Sequence, residues 1–372
     1  MRKFIVTLMA SLLSCSAAFA FWPEATDSSL EVGVGYRQDR LEWKTSSHFD
    51  SSSSGSDSYY SDNELVGAPR RLRSELKWRR LQIVQIEARG KYVTCDNIYL
   101  RACGDYGWIC SGKNTDSDFV TLGQGFDEDR SGSEFEFAHS RSKARGNVYD
   151  ARIAVGYQFK MCDDSFSIAP LAGWSWHGQR IRDRHLRHDS YSYDESFGFD
   201  DEPLVVNQGA RARSSSSYFD TYGSDSSSSS SHGNHSRYHA RWNGPFIGFD
   251  FDYRLGCACE WDIFGSYEFH WARYHAKARW NLRTDLFDGF QQRAKSAYGN
   301  LFNIGVKYDF CECWTLAVKG EFQWWNAHHG RDRAKIFASH LGNVKTDAFL
   351  TIPLKNVKWQ SAAVMVDLGM IF

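Results

Sequence analysis

KWQSAAVMVDLGMIF, residues 358–372, is the stretch on which the fold turns. Ala362, Val364, Val366, Leu368, Met370 and Phe372 lie on one parity, and Ser361, Ala363, Asp367 and Gly369 on the other. A period of two marks a strand, and about ten residues is the length at which a tilted strand crosses a bilayer. An edge strand of a soluble sandwich would read the same way. The choice rests on whether the rest of the chain supplies a closed set of similar strands, since an open sheet cannot sit in lipid.

The same parity rule recurs along the chain. Leu30, Val32, Val34 and Tyr36 alternate with polar partners, as do Val84, Ile86 and Ala88, then Ile98, Leu100 and Ala102. Further runs centre on Tyr149–Phe159, Ile168–Trp176, Ile247–Leu255, Trp261–Trp271, Phe302–Phe310 and Trp314–Trp324. Tight turns fall at Thr94–Asn97, Cys162–Asp164, Gly256–Cys259 and Cys311–Cys313. Between them lie polar segments at roughly Ser46–Arg70, Ser111–Gly146, Gly178–Tyr238, Leu282–Ala297 and Ala327–Asn356, expected as loops. The third of these holds SDSSSSSSHGNH, a composition that cannot bury a core. Short turns alternating with long loops predict an all-β fold: a single transmembrane antiparallel barrel of about ten strands over residues 21–372, with periplasmic turns and extracellular loops.

Composition agrees. Aromatic residues make up 16% of a chain whose mean hydropathy is only −0.51, which suits a wall apolar outside, polar inside and ringed by Trp and Tyr. The N-terminus has a basic start at Arg2 and Lys3, an apolar run Phe4–Leu13, and Ala18-Phe19-Ala20, so residues 1–20 are expected to be a signal peptide. No later run is apolar enough for a transmembrane helix. A net charge of −1 gives no reason to expect nucleic acid. The expected partners are outer-membrane lipids, with no cofactor and no metal, and no phosphate-cradling glycine loop or nucleophile elbow is present.

All nine cysteines but Cys15 lie beyond residue 20, in a compartment that favours disulfides over metal ligation. Cys95, Cys162, Cys257, Cys259, Cys311 and Cys313 crowd the predicted periplasmic turns, while Cys103 and Cys110 belong to the third strand. Turns around a rim are too far apart for every pair to close. Two readings stay open: cross-links to other envelope proteins, or a mixture of internal bridges and free thiols.

The inward parity is charged with both signs. It comprises Arg37, Asp39, Glu87, Arg89, Lys91, Arg101, Asp105 and Asp150, followed by Arg152, Asp250, Asp252, Arg254, Glu268, Lys307, Lys319 and Glu321. Such a set lines a water-filled pore or, equally, forms a salt-bridge network that plugs a narrow lumen. Barrels near eight strands are filled by side chains, and open channels come with about 16. Histidines at 185, 188, 232, 235, 328 and 329 fall in the expected loops and read as solvated side chains.

Two resemblances add to this. The aromatic at Phe372 resembles the sorting signal of bacterial outer-membrane barrels, and the order of strands and loops resembles the omptins, surface proteases in which an Asp-x-Asp helps activate a water. Asp116-Ser117-Asp118 stands at that place as a weak acidic rim pair, Asp116 and Asp118. The omptin Asp-x-His has no counterpart in HAKARWNLRTDLFDGF, residues 275–290, so catalysis is not expected. GYRQDRLEW (35–43), SELKWRRLQIVQIEARGKY (74–92), VYDARIAVGYQF (148–159), APLAGWSWH (169–177) and WNGPFIGFDFDY (242–253) resemble the Protochlamydia outer membrane protein family. DYGWICSGKNTDSDF (105–119) and YEFHWARYHAKARWNLRTDLFDGF (267–290) belong to the same likeness. It implies an abundant barrel of the cell outer membrane with porin-like passage of small polar solutes and a structural share in the envelope. A surface protease or a surface adhesin is the alternative.

Overall fold

The C-terminal alternation becomes the strand that closes a sheet on itself. The computed structural model describes residues 27–48, 69–122, 134–162, 165–189, 236–255, 261–279, 286–311, 313–337 and 347–372. They form β1 (Ser29–His48), β2 (Pro69–Val93), β3 (Ile98–Leu122), β4 (Glu134–Tyr157), β5 (Phe159–Met161) and β6 (Phe166–Asp189). Then follow β7 (Ser236–Arg254), β8 (Trp261–Arg279), β9 (Leu286–Cys311), β10 (Trp314–Phe337) and β11 (Asp347–Ile371). All pairings are antiparallel, and β5 carries on the β4–β6 ladder after a break at Gln158, so the eleven strands make ten staves. β1 pairs with both β2 and β11, and β4 with β6, so the ring is complete. The predicted signal peptide, residues 1–20, lies outside the described residues.

Period two sorts the wall into two faces. Val34, Val84, Ile153, Val155, Ile247, Ile304, Val318, Val364 and Val366 are exposed, bounded on one side by Trp261 and Trp314 and on the other by Trp108, Trp174, Trp176, Trp271 and Trp324. Trp314 and Trp324 stand at opposite edges of this band. Ten steps of about 3.3 Å at a tilt of about 40° put those edges roughly 25 Å apart. Apolar surface of that height between aromatic girdles is a surface that hydrocarbon solvates and water does not.

The segments expected as loops are shorter than anticipated, because the strands run far past the upper girdle. β7 and β8 have 19 residues and β9 has 26. His185, His188, His328 and His329 therefore lie on strands rather than in loops, whereas His232 and His235 fall outside the described residues. Past the girdle the polarity of the wall inverts. Tyr238, Ala240, Trp242, Tyr274, Ala276 and Ala278 are buried inside, while Arg237, Arg241, Arg273 and Lys277 point to the exterior. There the outside is water, so the apolar side chains move to the lumen, and a search for outward apolar residues finds nothing.

Bulges at that height also break the parity. Arg80 (φ +52°) sits where β2 slips against β1 and β3, and His329 (φ +53°) where the buried parity of β10 passes from Ala327 to Gly330 while the register against β9 and β11 is kept. In β4, Gly146 adopts φ +148°, and a Cβ there would lie 1.9 Å from the Arg180 carbonyl oxygen. Only glycine fits that approach.

Val366 is exposed at mid-band on β11. Val366→Arg should cost about 2–4 kcal/mol of folding stability in phospholipid vesicles, measured by urea unfolding. Unchanged stability would mean that this band does not face lipid.

Candidate functional site

The lumen is occupied from end to end by inward side chains. At the short-turn end Lys91 pairs with Asp27 at 2.8 Å, and Lys307 with Asp262 at 3.1 Å and Asp252 at 3.9 Å. Above them Arg101 binds Asp250 and Glu268, each at 2.5 Å, and the Tyr99 hydroxyl donates to Asp250 at 2.6 Å. Arg152 reaches Glu268 and Glu321, both at 3.5 Å, and its Nε donates to Cys103 Sγ at 3.1 Å. Lys319 Nζ lies 2.8 Å from Glu87 and 2.9 Å from Asp367, with Arg89 at 3.5 Å from Glu87. Arg37 completes the stack, bonding Asp39 and Asp150 at 2.7 Å each, with Asp105 at 3.7 Å.

These pairs cross the barrel. Arg37 on β1 meets Asp150 on β4, Arg152 on β4 meets Glu321 on β10, and Lys319 on β10 meets Glu87 on β2. Fifteen of the sixteen predicted inward residues join ion pairs inside the wall, some across the barrel and others, such as Arg89 with Glu87, along one strand. Arg254 is the correction: its side chain is 58% exposed, 3.4 Å from Asp262, because β7 has reached the barrel mouth there. Parity alone did not single out His177, whose Nδ1 is 2.8 Å from Asp150, or Trp359, whose indole N–H donates to Asp39 at 3.0 Å.

An aromatic layer lies directly above the ions. Trp43, Trp78, Trp242, Trp325 and Trp359 are all fully buried. Trp325 and Trp359 stack at 5.7 Å with 15° between planes, and Trp242 stands 5.9 Å from Trp325. A cavity of about 50 Å³ opens at the short-turn end among Asp27, Arg89, Lys91 and Asp252. Another, of about 400 Å³, opens between β10 and β11 beside His329, Arg331, Pro353 and Lys355. Neither is lined by the tryptophans or by the Arg37 cluster.

Asp116 and Asp118 pair across β3 with Leu76 and Ser74 of β2, and Asp118 is buried. Between them Ser117 Oγ and Glu136 both approach the same nitrogen of His139, Nδ1, at 3.1 and 2.9 Å; a nucleophile–base–orienter chain needs both ring nitrogens. Ser175, His270 and Glu268 do follow one another through both nitrogens, at 2.9 and 3.0 Å, but all three are buried in the wall. Among the described residues no cluster of His, Cys, Asp and Glu could hold a metal.

Among the described residues the turn cysteines are unpaired. Cys95, Cys162 and Cys313 are exposed free thiols on separate turns, Cys110 is an exposed free thiol on β3, and Cys103 is buried and free. Cys257, Cys259 and the Cys311 side chain lie outside what is described. The separation of neighbouring turns is the reason the visible thiols stay apart.

One carboxylate in the extracellular extension is unlike the rest. Asp183, seven residues past Trp176 on β6, is buried and has no cation beside it among the described residues. Trp78 Nε1 and Asn114 Nδ2 donate to it at 3.1 and 2.9 Å. Burial pushes it up to about 7, against the lowering effect of those hydrogen bonds.

A family model described as Protochlamydia outer membrane protein matches residues 31–372. No curated protein sequence matches the chain. Among solved structures, the outer membrane protease OmpT from Escherichia coli aligns over 95% of this chain and 99% of its own, with a TM-score of 0.57 at 13% identity. A FadL homologue from Pseudomonas aeruginosa aligns over 95% of this chain and 93% of its own, at 8% identity and a TM-score of 0.24. OprG from the same organism aligns over 94% and 98%, at 9% identity and a TM-score of 0.24. The likeness to OmpT is one of fold; the other two scores are too low to carry an argument.

Asp183 makes stability depend on pH. Its folded form holds a proton between about pH 4 and pH 7 that the unfolded chain releases, so stability falls by roughly 1.4 kcal/mol per pH unit across that window. The barrel should therefore melt higher at pH 5.5 than at pH 8.5. Asp183→Asn should remove most of that difference, and an unaltered pH profile in the variant would refute the assignment.

Proposed function

The chain belongs to the Protochlamydia outer membrane protein family, and from that premise we propose that it is a closed structural barrel of the outer membrane rather than a conduit. Its localisation to the outer membrane follows from the family and from the fold shared with OmpT. The observation that carries the reading is the filled lumen: a buried ion stack capped by Trp242, Trp325 and Trp359, all with no exposure. A hydrated ion crossing it would have to separate buried pairs, each of which costs about 3–5 kcal/mol to break from one side, and then pass the indoles.

No enzymatic role is assigned to this chain. Asp116 and Asp118 supply only half of the omptin-like arrangement, and His139 is engaged by Ser117 and Glu136 through a single nitrogen. Exposed thiols at Cys95, Cys162 and Cys313, on the end that carries the short turns, suit covalent links to other envelope proteins.

Refolded protein in planar bilayers should show no single-channel steps at any voltage; reproducible steps would overturn the closed-barrel reading and restore solute passage. On non-reducing gels of whole envelopes it should migrate as high-mass species that collapse to monomer with reductant, and not do so when Cys95, Cys162 and Cys313 are changed together to Ser. A monomer band without reductant would remove the cross-linking role.

A further inference from the structure

Like charges placed directly opposite on neighbouring strands destabilise a sheet, yet the exterior of the extracellular extension does this repeatedly. One row of paired positions runs Arg145, Arg182, Arg237, Arg279 across β4, β6, β7 and β8. A second runs Arg241, His275, Arg293, Arg331 across β7 to β10. All these side chains face outward, and the arginines are exposed.

Elsewhere on the wall some outward cations are paired with acids, although a further exposed like-charge row runs Arg79, Lys113, Lys143, Arg184 across β2, β3, β4 and β6. On β1 and β2, Arg40 is held by Glu42 at 2.8 Å, Lys44 by Glu75 at 2.8 Å, and Arg73 by Glu134 at 2.6 Å. Among the described residues no carboxylate partners Arg145, Arg182, Arg237, Arg241 or Arg279. His239, lying between Arg180 and Lys277 in the register, is lowered to about 4, first by burial and then by Arg241 and Arg180.

We propose that this arginine field is a binding surface for phosphate-bearing headgroups of lipids in the outer leaflet. Position selects the occupant. The field begins where the girdle ends: the first outward residue beyond Trp271 is Arg273, and beyond Trp176 come Gly178 and Arg180. Two residues of tilted strand rise about 5 Å, which puts the lowest guanidinium groups at headgroup level. The wall also faces sideways, along the membrane plane, so lateral neighbours reach it before anything arriving from above. Arginine suits the task because its planar fork takes two phosphate oxygens at once, and a phosphate set between paired strands would neutralise the repulsion that the rows otherwise carry.

The test uses the full chain refolded in neutral detergent micelles, with the melting midpoint read by the heat-dependent shift of the folded band on gels. Phosphatidic acid is the probe, diacylglycerol of the same chains the uncharged control, and inorganic phosphate the soluble control. Phosphatidic acid should raise the midpoint, diacylglycerol should not, and the rise should shrink as salt increases. Changing Arg182, Arg237, Arg241 and Arg293 together to Gln should abolish most of the rise, and changing the same four to Lys should retain a good part of it. If the combined Gln variant does not refold, Arg237→Gln and Arg241→Gln singly should each reduce the rise, whereas Arg40→Gln, at an arginine already paired with Glu42, should not. An equal rise in the Gln variants and in the wild type overturns the proposal. So does an equal response to phosphatidic acid and diacylglycerol. A response to inorganic phosphate as large as that to phosphatidic acid overturns the assignment to lipid.

Discussion

Closing ten staves into a ring creates a lumen that side chains must fill. The seam is the register of β1 against β11, which runs without a slip from Ser29–Ile371 to Lys44–Asn356 and is pinned at its lower end by the Phe372 N–H donating to the Ser28 carbonyl at 3.0 Å. With the edges paired, no backbone group in the band is left facing hydrocarbon, and a barrel this small has an interior only a few side chains wide. Everything inward of the wall follows from that width. Long side chains from β1 can touch β4, and those from β4 can touch β10.

Two solutions to the filling problem are stacked along the axis. Within the lipid band the outward positions consume the apolar residues, so the inward ones are charged, and burial forces them into pairs such as Lys319 with Glu87 and Asp367. Above the girdle the exterior meets water, the apolar residues turn in, and tryptophans replace the ions. The junction is where the strands bulge. The bulge at Arg80 and the positive-φ turn of the backbone at His329 let the wall change which parity faces inward without ending the ladder. Arg37 and Trp359 join the two layers: the guanidinium carbon lies 5.3 Å from the indole centroid, and both side chains bond Asp39.

The two faces of the extension then have separate consequences. Its interior seals the barrel and holds Asp183 away from any cation, which ties the stability of this upper region to proton concentration. Its exterior carries rows of like-charged arginines across β4 and β6–β10, while acids pair with Arg40, Lys44 and Arg73 on β1 and β2. Fold and membrane depend on the lower band; the surface chemistry that distinguishes one side of the molecule from the other depends on the upper one.

Much of this was legible in the chain itself. The alternation from Ala362 to Leu368, repeated at Val84, Ile153, Ile247 and Val318, determines that the protein is a barrel of about ten strands with charges inside, because each outward position in lipid must be apolar and each strand must cross the same thickness. The same rule placed Arg37, Asp150, Arg152 and Lys319 in the lumen. It stopped at the girdle, since polarity there inverts and parity slips, so Tyr238 and Phe290 were hidden in segments that read as loops. Arg254 was misplaced because alternation does not say where a strand leaves the mouth. Whether the charges line water or bind each other was undecided in one dimension: it depends on cross-barrel distances between residues more than 100 positions apart, such as Arg37 and Asp150 at 2.7 Å. The arginine rows, too, exist only once the register sets Arg182 beside Arg145 and Arg237. Local alternation determines the wall; only tertiary closure decides what meets across it and along it.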